Sequence, residues 1–469
     1  MSIIIAPATL PKTLPAVVSS RGAAWLFSVA VSLLFLLAPA IWNGFAIVFH
    51  DTGGYIDRVT QMNLGYGRSF FYGLFLCFTS LGWWTFWGPV MVQALAAIWL
   101  IRLMLRCHGL TAGPLTVAAF AAILSIFTGI SWYAAQLLPD ILIPLTVLAL
   151  WLLGFRRQEL SLAEGMLLFA IALLGMLSHM SCLALGLGLA LVTVVAKLAG
   201  KRWQPGLPVH VLPPLATVMA AVILMPLVHF MLVGKAVYTP GGPVFIFARF
   251  VQDGLARKYL AEHCPIEGVK LCALQDRLPK TADEFLWADG SPFKEIGDWD
   301  GAKTELGYLV REILKTYPGE AIRSSLLFTA QQMVLVATGD GLDEYHFHAR
   351  GVFASLSRSV ADQYQAARQQ QDQITQVLFD SLNKIHVPIA LLSIFGLALV
   401  IPWGVMKRQA DIASLAAFAF VSLLGNAFIC GALSNPHDRY QSRLVWVATL
   451  VVLMAVVRRQ LMTSEGERR

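Results

Sequence analysis

The chain has 469 residues, 57% of them hydrophobic and 13% charged, with a net charge of +7 and a mean hydropathy of +0.66. Ordinary soluble domains carry about 25% charged residues, so this composition excludes one and points to a lipid bilayer. Nor is the positive charge a nucleic-acid surface. Residues 235–385 hold 16 Lys and Arg against 19 Asp and Glu, and the rest of the chain holds 19 against 9, clustered in short loops between apolar runs.

Residues 23–49 read as a first span, preceded by Lys12 and Arg21. An apolar run of about 27 residues with no small-residue cleavage site after it is expected to be a span, not a removable leader. Residues 50–67 then form an outward loop. The aromatic stretch 70–87, with Trp83, Trp84 and Trp87, reads as an interfacial helix lying along the membrane surface. Further spans are expected at 88–105, 115–133, 138–155, 162–178, 181–198, 211–234, 387–405, 412–433 and 444–457, which makes about ten. Arg102 and Arg106, Arg156 and Arg157, Lys201 and Arg202, Lys407 and Arg408, and Arg458 and Arg459 then fall on one side. That side is expected to be cytoplasmic and to hold both termini.

The fold class is therefore an all-α polytopic membrane protein in three parts. A module at 1–234 carries the first outward loop, 50–87; a mainly helical extracytoplasmic domain at 235–385 is inserted before the last three spans; and 386–469 completes the membrane part. Within the insert, helical patterning is clearest at 306–315, 322–338 and 352–383. Cys77, Cys107, Cys182 and Cys430 lie in or beside apolar runs, as small buried hydrophobes do. Cys264 and Cys272, eight apart in HCPIEGVKLC, are expected to form a disulfide if that segment lies outside the cytoplasm. His346 and His348 in DEYHFHAR read as surface residues, not as metal ligands.

Under this topology the polar residues that are hardest to explain share one face of the membrane. Asp51 ends the first span, Asp140 in LLPDIL begins another, and His179 sits at a hairpin turn. The last outward loop, SNPHDRYQSR, supplies His437, Asp438, Arg439, Tyr440 and Arg443. Each has a plain structural reading: Asp51 as the cap of a helix at 52–61, Asp140 as a helix N-terminal acid, His179 as a turn residue, Arg439 as a headgroup contact. Together they suit a chemical task. A carboxylate can take the proton of an acceptor hydroxyl, and Arg and His can neutralise a phosphate leaving group, the group a lipid carrier presents at that depth.

The order of these features resembles the C-type glycosyltransferase superfamily of integral membrane enzymes that use polyprenyl-phosphate sugars. The residues that carry the resemblance are Asp51 with Tyr55, RSFFYGLFL from Arg68 to Leu76, Pro139 with Asp140, and Arg439 with Tyr440. It covers the first ~160 residues and, more loosely, the last outward loop. It implies an inverting enzyme of the bacterial inner membrane, with Asp51 as catalytic base or metal contact and Asp140 as the second acid. Arg439 and His179 would contact the donor phosphate, and Tyr55, Arg68, His437, Tyr440 and Arg443 would bind substrate. A divalent cation, Mg or Mn, between Asp51 and Asp140 is allowed but not required: the next acid after Asp51 is Asp57, so there is no Asp-x-Asp. The implied partners are the bilayer, a polyprenyl-phosphate-linked sugar and a glycan, lipid or protein acceptor. One alternative is a polysaccharide polymerase or ligase relying on Arg249, Arg257, Arg439 and Arg443. Others are a transporter or flippase, which would show repeated halves and mid-bilayer charges, and a non-catalytic scaffold.

Overall fold

The computed structural model describes residues 20–203, 208–239, 241–343 and 346–466. Among them the elements are helical, and the only extended pairing is an isolated parallel bridge between Ile47 and Gln136. Six helices are long and apolar enough to cross a membrane: Trp87–Cys107, Met180–Ala199, Leu212–Val233, Gln376–Met406, Ala410–Ala432 and Asp438–Thr463. The apolar helices Arg21–Leu36, Pro114–Phe127, Pro139–Phe155 and Leu162–Ser178, which lie in the other four stretches expected to span, are shorter.

In chain order the first half comprises α1 (Ser20–Leu36), α2 (Ala38–Asn43), α3 (His50–Thr60), α4 (Phe70–Thr79), α5 (Trp87–Cys107), α6 (Pro114–Phe127), α7 (Ile130–Ala134), α8 (Leu142–Phe155), α9 (Leu162–Ser178), α10 (Met180–Trp203) and α11 (Leu212–Val233). The sequence of α8, LIPLTVLALWLLGF, has no polar face, and a helix that is apolar all round belongs inside. Every one of its residues is buried, so α8 is a central post of the bundle. A 3-10 turn, Pro139–Ile141, leads into it and puts Asp140 at its head. The expected span 115–133 is broken where Thr128 adopts an extended conformation after α6.

The second half comprises α12 (Gly242–Gln252), α13 (Leu255–His263), α14 (Ala282–Trp287), α15 (Pro292–Glu295), α16 (Asp298–Gly301), α17 (Lys303–Thr316), α18 (Pro318–Val334), α19 (Phe347–Ser355), α20 (Arg358–Ala366), α21 (Gln376–Met406), α22 (Ala410–Ala427) and α23 (Asp438–Gly466). Residues from Val244 to Ala321 build their own hydrophobic core around Phe247, Phe285, Phe293 and Leu309. Residues from Val336 to Phe379 pack instead into the large core of the bundle. The insert therefore feeds two cores. Cys264 and Cys272 form a disulfide in the first of these regions. The expected helix 352–383 is three helices, and α21 starts well before the apolar run that marked its span.

A π-helical segment, Phe428–Ala432, extends α22. Such segments interrupt the regular carbonyl pairing, and here residue 436, which would serve the Ala432 carbonyl, is a proline with no N–H. Arg249 Nε donates to that carbonyl at 2.7 Å. Its other nitrogens bond Asp253, Ser324 at 2.9 Å and Ser325 at 3.1 Å, and the side chain is fully buried. Arg249 thus ties the second core to the bundle.

Candidate functional site

Two loops far apart in sequence are stitched together beside α3. Ile47 N–H donates to the Ala135 carbonyl at 2.9 Å, and Leu137 N–H donates to the Ile47 carbonyl at 2.9 Å. Thr52 Oγ1 accepts from Phe49 N–H at 2.9 Å and donates to the Leu137 carbonyl at 3.1 Å. With Thr52 in that position, Asp51 lies in the first turn of α3 and is not its cap. Its carboxylate pairs with Arg68 instead.

Arg68 precedes α4, whose cap Ser69 accepts from Phe71 N–H at 3.1 Å and donates to the Leu177 carbonyl at 2.7 Å. A Cβ on Gly73 would lie 2.3 Å from the Tyr55 carbonyl oxygen. Only glycine lets α4 come this close to α3. Tyr55 is buried behind Asp51, edge-on to Tyr72 at 5.0 Å.

On the other side of the stitched loops Asp140, 1% exposed, faces α23. Arg443 Nη1 donates to its Oδ1 at 2.7 Å, and Arg439 Nε lies 3.6 Å from its Oδ2. The sequence placed these arginines in a loop, but α23 begins at Asp438, so they stand one turn apart on one helical face. Asp438 favours that start by accepting from Ala337 N–H at 2.7 Å in the first turn. Arg443 Nη2 also reaches Ser181 Oγ at 3.0 Å, and Asn426 and Cys430 at 3.4 and 3.5 Å. The guanidinium of Arg439 lies 4.2 Å over the Phe49 ring and 5.1 Å from that of Tyr440. Arg439 Nη1 is buried with no hydrogen-bond partner among the described residues.

His179, at the turn between α9 and α10, completes the group. Its Nδ1 accepts from Ser181 N–H at 3.2 Å and lies 2.8 Å from Ser181 Oγ. A backbone donor on Nδ1 leaves the ring proton on Nε2. Burial, reinforced by Arg443, holds the His179 pKa down at about 3, so the ring is neutral. Burial alone would raise the Asp51 pKa, but Arg68 and Arg439 outweigh it and hold the carboxylate below its ordinary range.

Arg68 and His179 line a narrow cleft with a cavity volume of about 40 Å³, together with Ser69, Ser178, Met225 and His229. On one wall Arg68 leads to Asp51. On the other, His179 leads through Ser181 and Arg443 to Asp140. Nearby, Leu227, Phe230 and Met231 of α11 are exposed apolar residues.

His437 has different partners. Its Nε2 lies 3.1 Å from Asp283 and its Nδ1 3.5 Å from Asp340. His346, expected at the surface, is buried and packs on His50 with ring centroids 4.4 Å apart. His348 is exposed and lies 2.9 Å from Asp57. Sequence reasoning missed Ser181, Asn426 and Trp287. A lone Asn in the apolar run LLGNAF was a signal for Asn426, because polar groups within spans need a partner. Nothing marked Trp287.

A divalent cation needs several oxygen ligands converging on one point. Asp51 and Asp140 each face guanidinium groups, and the described residues contain no group of three His, Cys, Asp or Glu able to hold a metal. This donor set suits an anion, so no step below runs through a cation. No family model, curated protein or solved structure matches the chain.

Proposed function

We propose that the chain is a membrane glycosyltransferase that moves a sugar from a polyprenyl-phosphate donor to an acceptor hydroxyl. The observation that carries this reading is a pair of buried arginine nitrogens without partners among the described residues, Arg439 Nη1 and Arg443 Nε, beside two carboxylates, Arg68 and a neutral His179. An N–H so placed lacks an acceptor, and a phosphate oxygen would supply one.

The donor phosphate enters the cleft between Arg68 and His179, with its lipid along the exposed apolar face of α11. Phosphate at Arg68 competes with Asp51 for the guanidinium and frees the carboxylate. The acceptor oxygen then bonds to the sugar C1 while its proton passes to Asp51. The bond from C1 to the phosphate oxygen breaks, and its electron pair leaves on the phosphate, where the arginines and His179 Nε2–H stabilise it. Asp140 holds Arg443 and Arg439 in place and is a positioning residue in this scheme.

In the membrane the reading uses ten spans, the shorter helices included, with the cleft outside and both termini in the cytoplasm. The distribution of charge supports it. Asp140 and Arg443 lie near the N-terminal ends of α8 and α23, while Arg156 and Arg458, near the C-terminal ends, both reach Asp411 at 3.0 Å. The polymerase or ligase reading loses support because Arg249 spends its nitrogens inside the protein.

The test is turnover by purified protein in nanodiscs, with short-chain polyprenyl-phosphate sugars as donors. Asp51→Asn is expected to lower donor cleavage by about 10²-fold or more, with a smaller loss of stability than a substitution at the fully buried Arg443. Cleavage that survives the substitution would remove Asp51 as the base. Absence of both cleavage and donor binding in the wild type would return the chain to transport or scaffolding.

A further inference from the structure

The short helix α14 belongs to the second core, yet it reaches both flanks of the carboxylate site. Asp283 and Trp287 stand one turn apart on it and share a face. At the Trp287 end, the Arg68 guanidinium lies 5.4 Å from the indole centroid. At the Asp283 end, the carboxylate accepts from Asn435 Nδ2 at 3.0 and 3.1 Å and lies 3.1 Å from His437 Nε2. Arg68 is the partner of Asp51, and the Asn435–Arg439 stretch runs into the first turn of α23. The helix therefore bridges the approach to Asp51 from the side of the second core.

Trp287 is 45% exposed, although it belongs to a packed aromatic cluster. Behind it Trp299 lies at 5.6 Å, and Trp299 stacks on Tyr66 at 5.0 Å with an interplanar angle of 17°. Tyr66 also hydrogen-bonds Asp300. The loop between α3 and α4 is thereby pinned to the same cluster. The indole is held from behind while much of its surface stays open.

We propose that α14 forms the acceptor subsite of this enzyme and that the acceptor is a saccharide. The inference rests on the glycosyltransferase reading and names its acceptor class. The apolar C–H face of a pyranose packs on the Trp287 indole, and its hydroxyls exchange hydrogen bonds with Asp283 and Asn435. A half-exposed indole next to a carboxylate and an amide, about one helical turn apart, matches a ring with one apolar face and a polar rim. A lipid chain would need a continuous apolar wall, and α14 presents Asp283 and Glu284 within its first turn. The hydroxyl nearest Arg68 is then the one that meets Asp51.

The full chain in nanodiscs is tested by saturation-transfer NMR against methyl glycosides of common hexoses and N-acetylhexosamines. The same sugars on a hexadecyl chain in the nanodisc form a second arm. Decyl phosphate binding is measured separately as a report on the donor cleft. At least one sugar is expected to bind the wild type. Trp287→Ala should weaken it about tenfold, Trp287→Phe should keep it within about threefold, and decyl phosphate affinity, which Trp287 touches only through the Arg68 guanidinium, should change by about threefold at most in either variant. Signal from both arms indicates a soluble glycan, and signal from the hexadecyl arm alone indicates a glycan carried on lipid. Sugar binding that is equal in wild type and Trp287→Ala overturns the subsite. So does the absence of sugar binding in a protein that binds decyl phosphate, and the donor reading then stands. Trp287-dependent sugar binding without decyl phosphate binding keeps the subsite and overturns the donor reading.

Discussion

Arg439 and Arg443 share the same acid but do different work. Arg443 is fully buried, and its two terminal nitrogens contact Asp140, Ser181, Asn426 and Cys430. Removing one partner of a buried ion pair leaves a charge in a medium that solvates it poorly, at a cost of about 3–5 kcal/mol. Arg443→Gln is therefore expected to lower the unfolding midpoint strongly in detergent. Arg439 sits farther from Asp140, at 3.6 Å against 2.7 Å, and its side chain is less deeply buried. Arg439→Gln should lose less stability and more affinity for decyl phosphate. Equal losses of stability in both variants would contradict this division.

At the scale of elements, the placement of Asp51 depends on how closely α3 and α4 pack. A Cβ at position 73 would also lie 2.8 Å from Val59 Cγ2, so Gly73→Ala must push the two helices apart. A displacement of about 1 Å at a reacting group can cost about 10² in rate, and donor cleavage is expected to fall towards that extent. Gly188 is the control: a Cβ there meets nothing within 4 Å, and Gly188→Ala should leave turnover and stability unchanged. Comparable losses in both variants would show that a general weakening of the helices, not the α3–α4 contact, was responsible.

At the scale of the whole molecule, the second core is held over the site partly by charge. His437 lies between Asp283 of α14 and Asp340, with Asp438 and Arg439 also nearby. Burial works against its protonation, but bonds to Asp283 and Asp340 prevail and raise its pKa to about 9. A histidine raised above its unfolded value of 6.5 contributes fully below that pH, and the contribution fades as pH rises through about 9. All three side chains are partly exposed, so solvent screening keeps the effect modest. Amide exchange in 282–287 and 434–437 should quicken between pH 6.5 and 9.5 in the wild type, beyond the intrinsic dependence of exchange on pH. In His437→Asn that additional change should be absent, and its persistence would assign the opening to another group.

What composition and periodicity determined by themselves was the all-helical, membrane-embedded character of the chain. Twenty-odd apolar residues in a row leave the backbone no partners but its own in a bilayer, whatever the neighbouring helices do. The sequence also marked Asp51, Asp140, His179, Arg439 and Arg443 as out of place, because isolated charges beside apolar runs are costly wherever they lie. It did not decide what they meet. That Arg439 and Arg443 stand on a helix and not in a loop, that His437 turns towards Asp283, and that the insert is divided between two cores were decided by tertiary packing. Each of those outcomes is a contact between residues far apart in sequence. Burial removed the water that would otherwise have satisfied their charges, and only the folded chain could bring a replacement partner within reach.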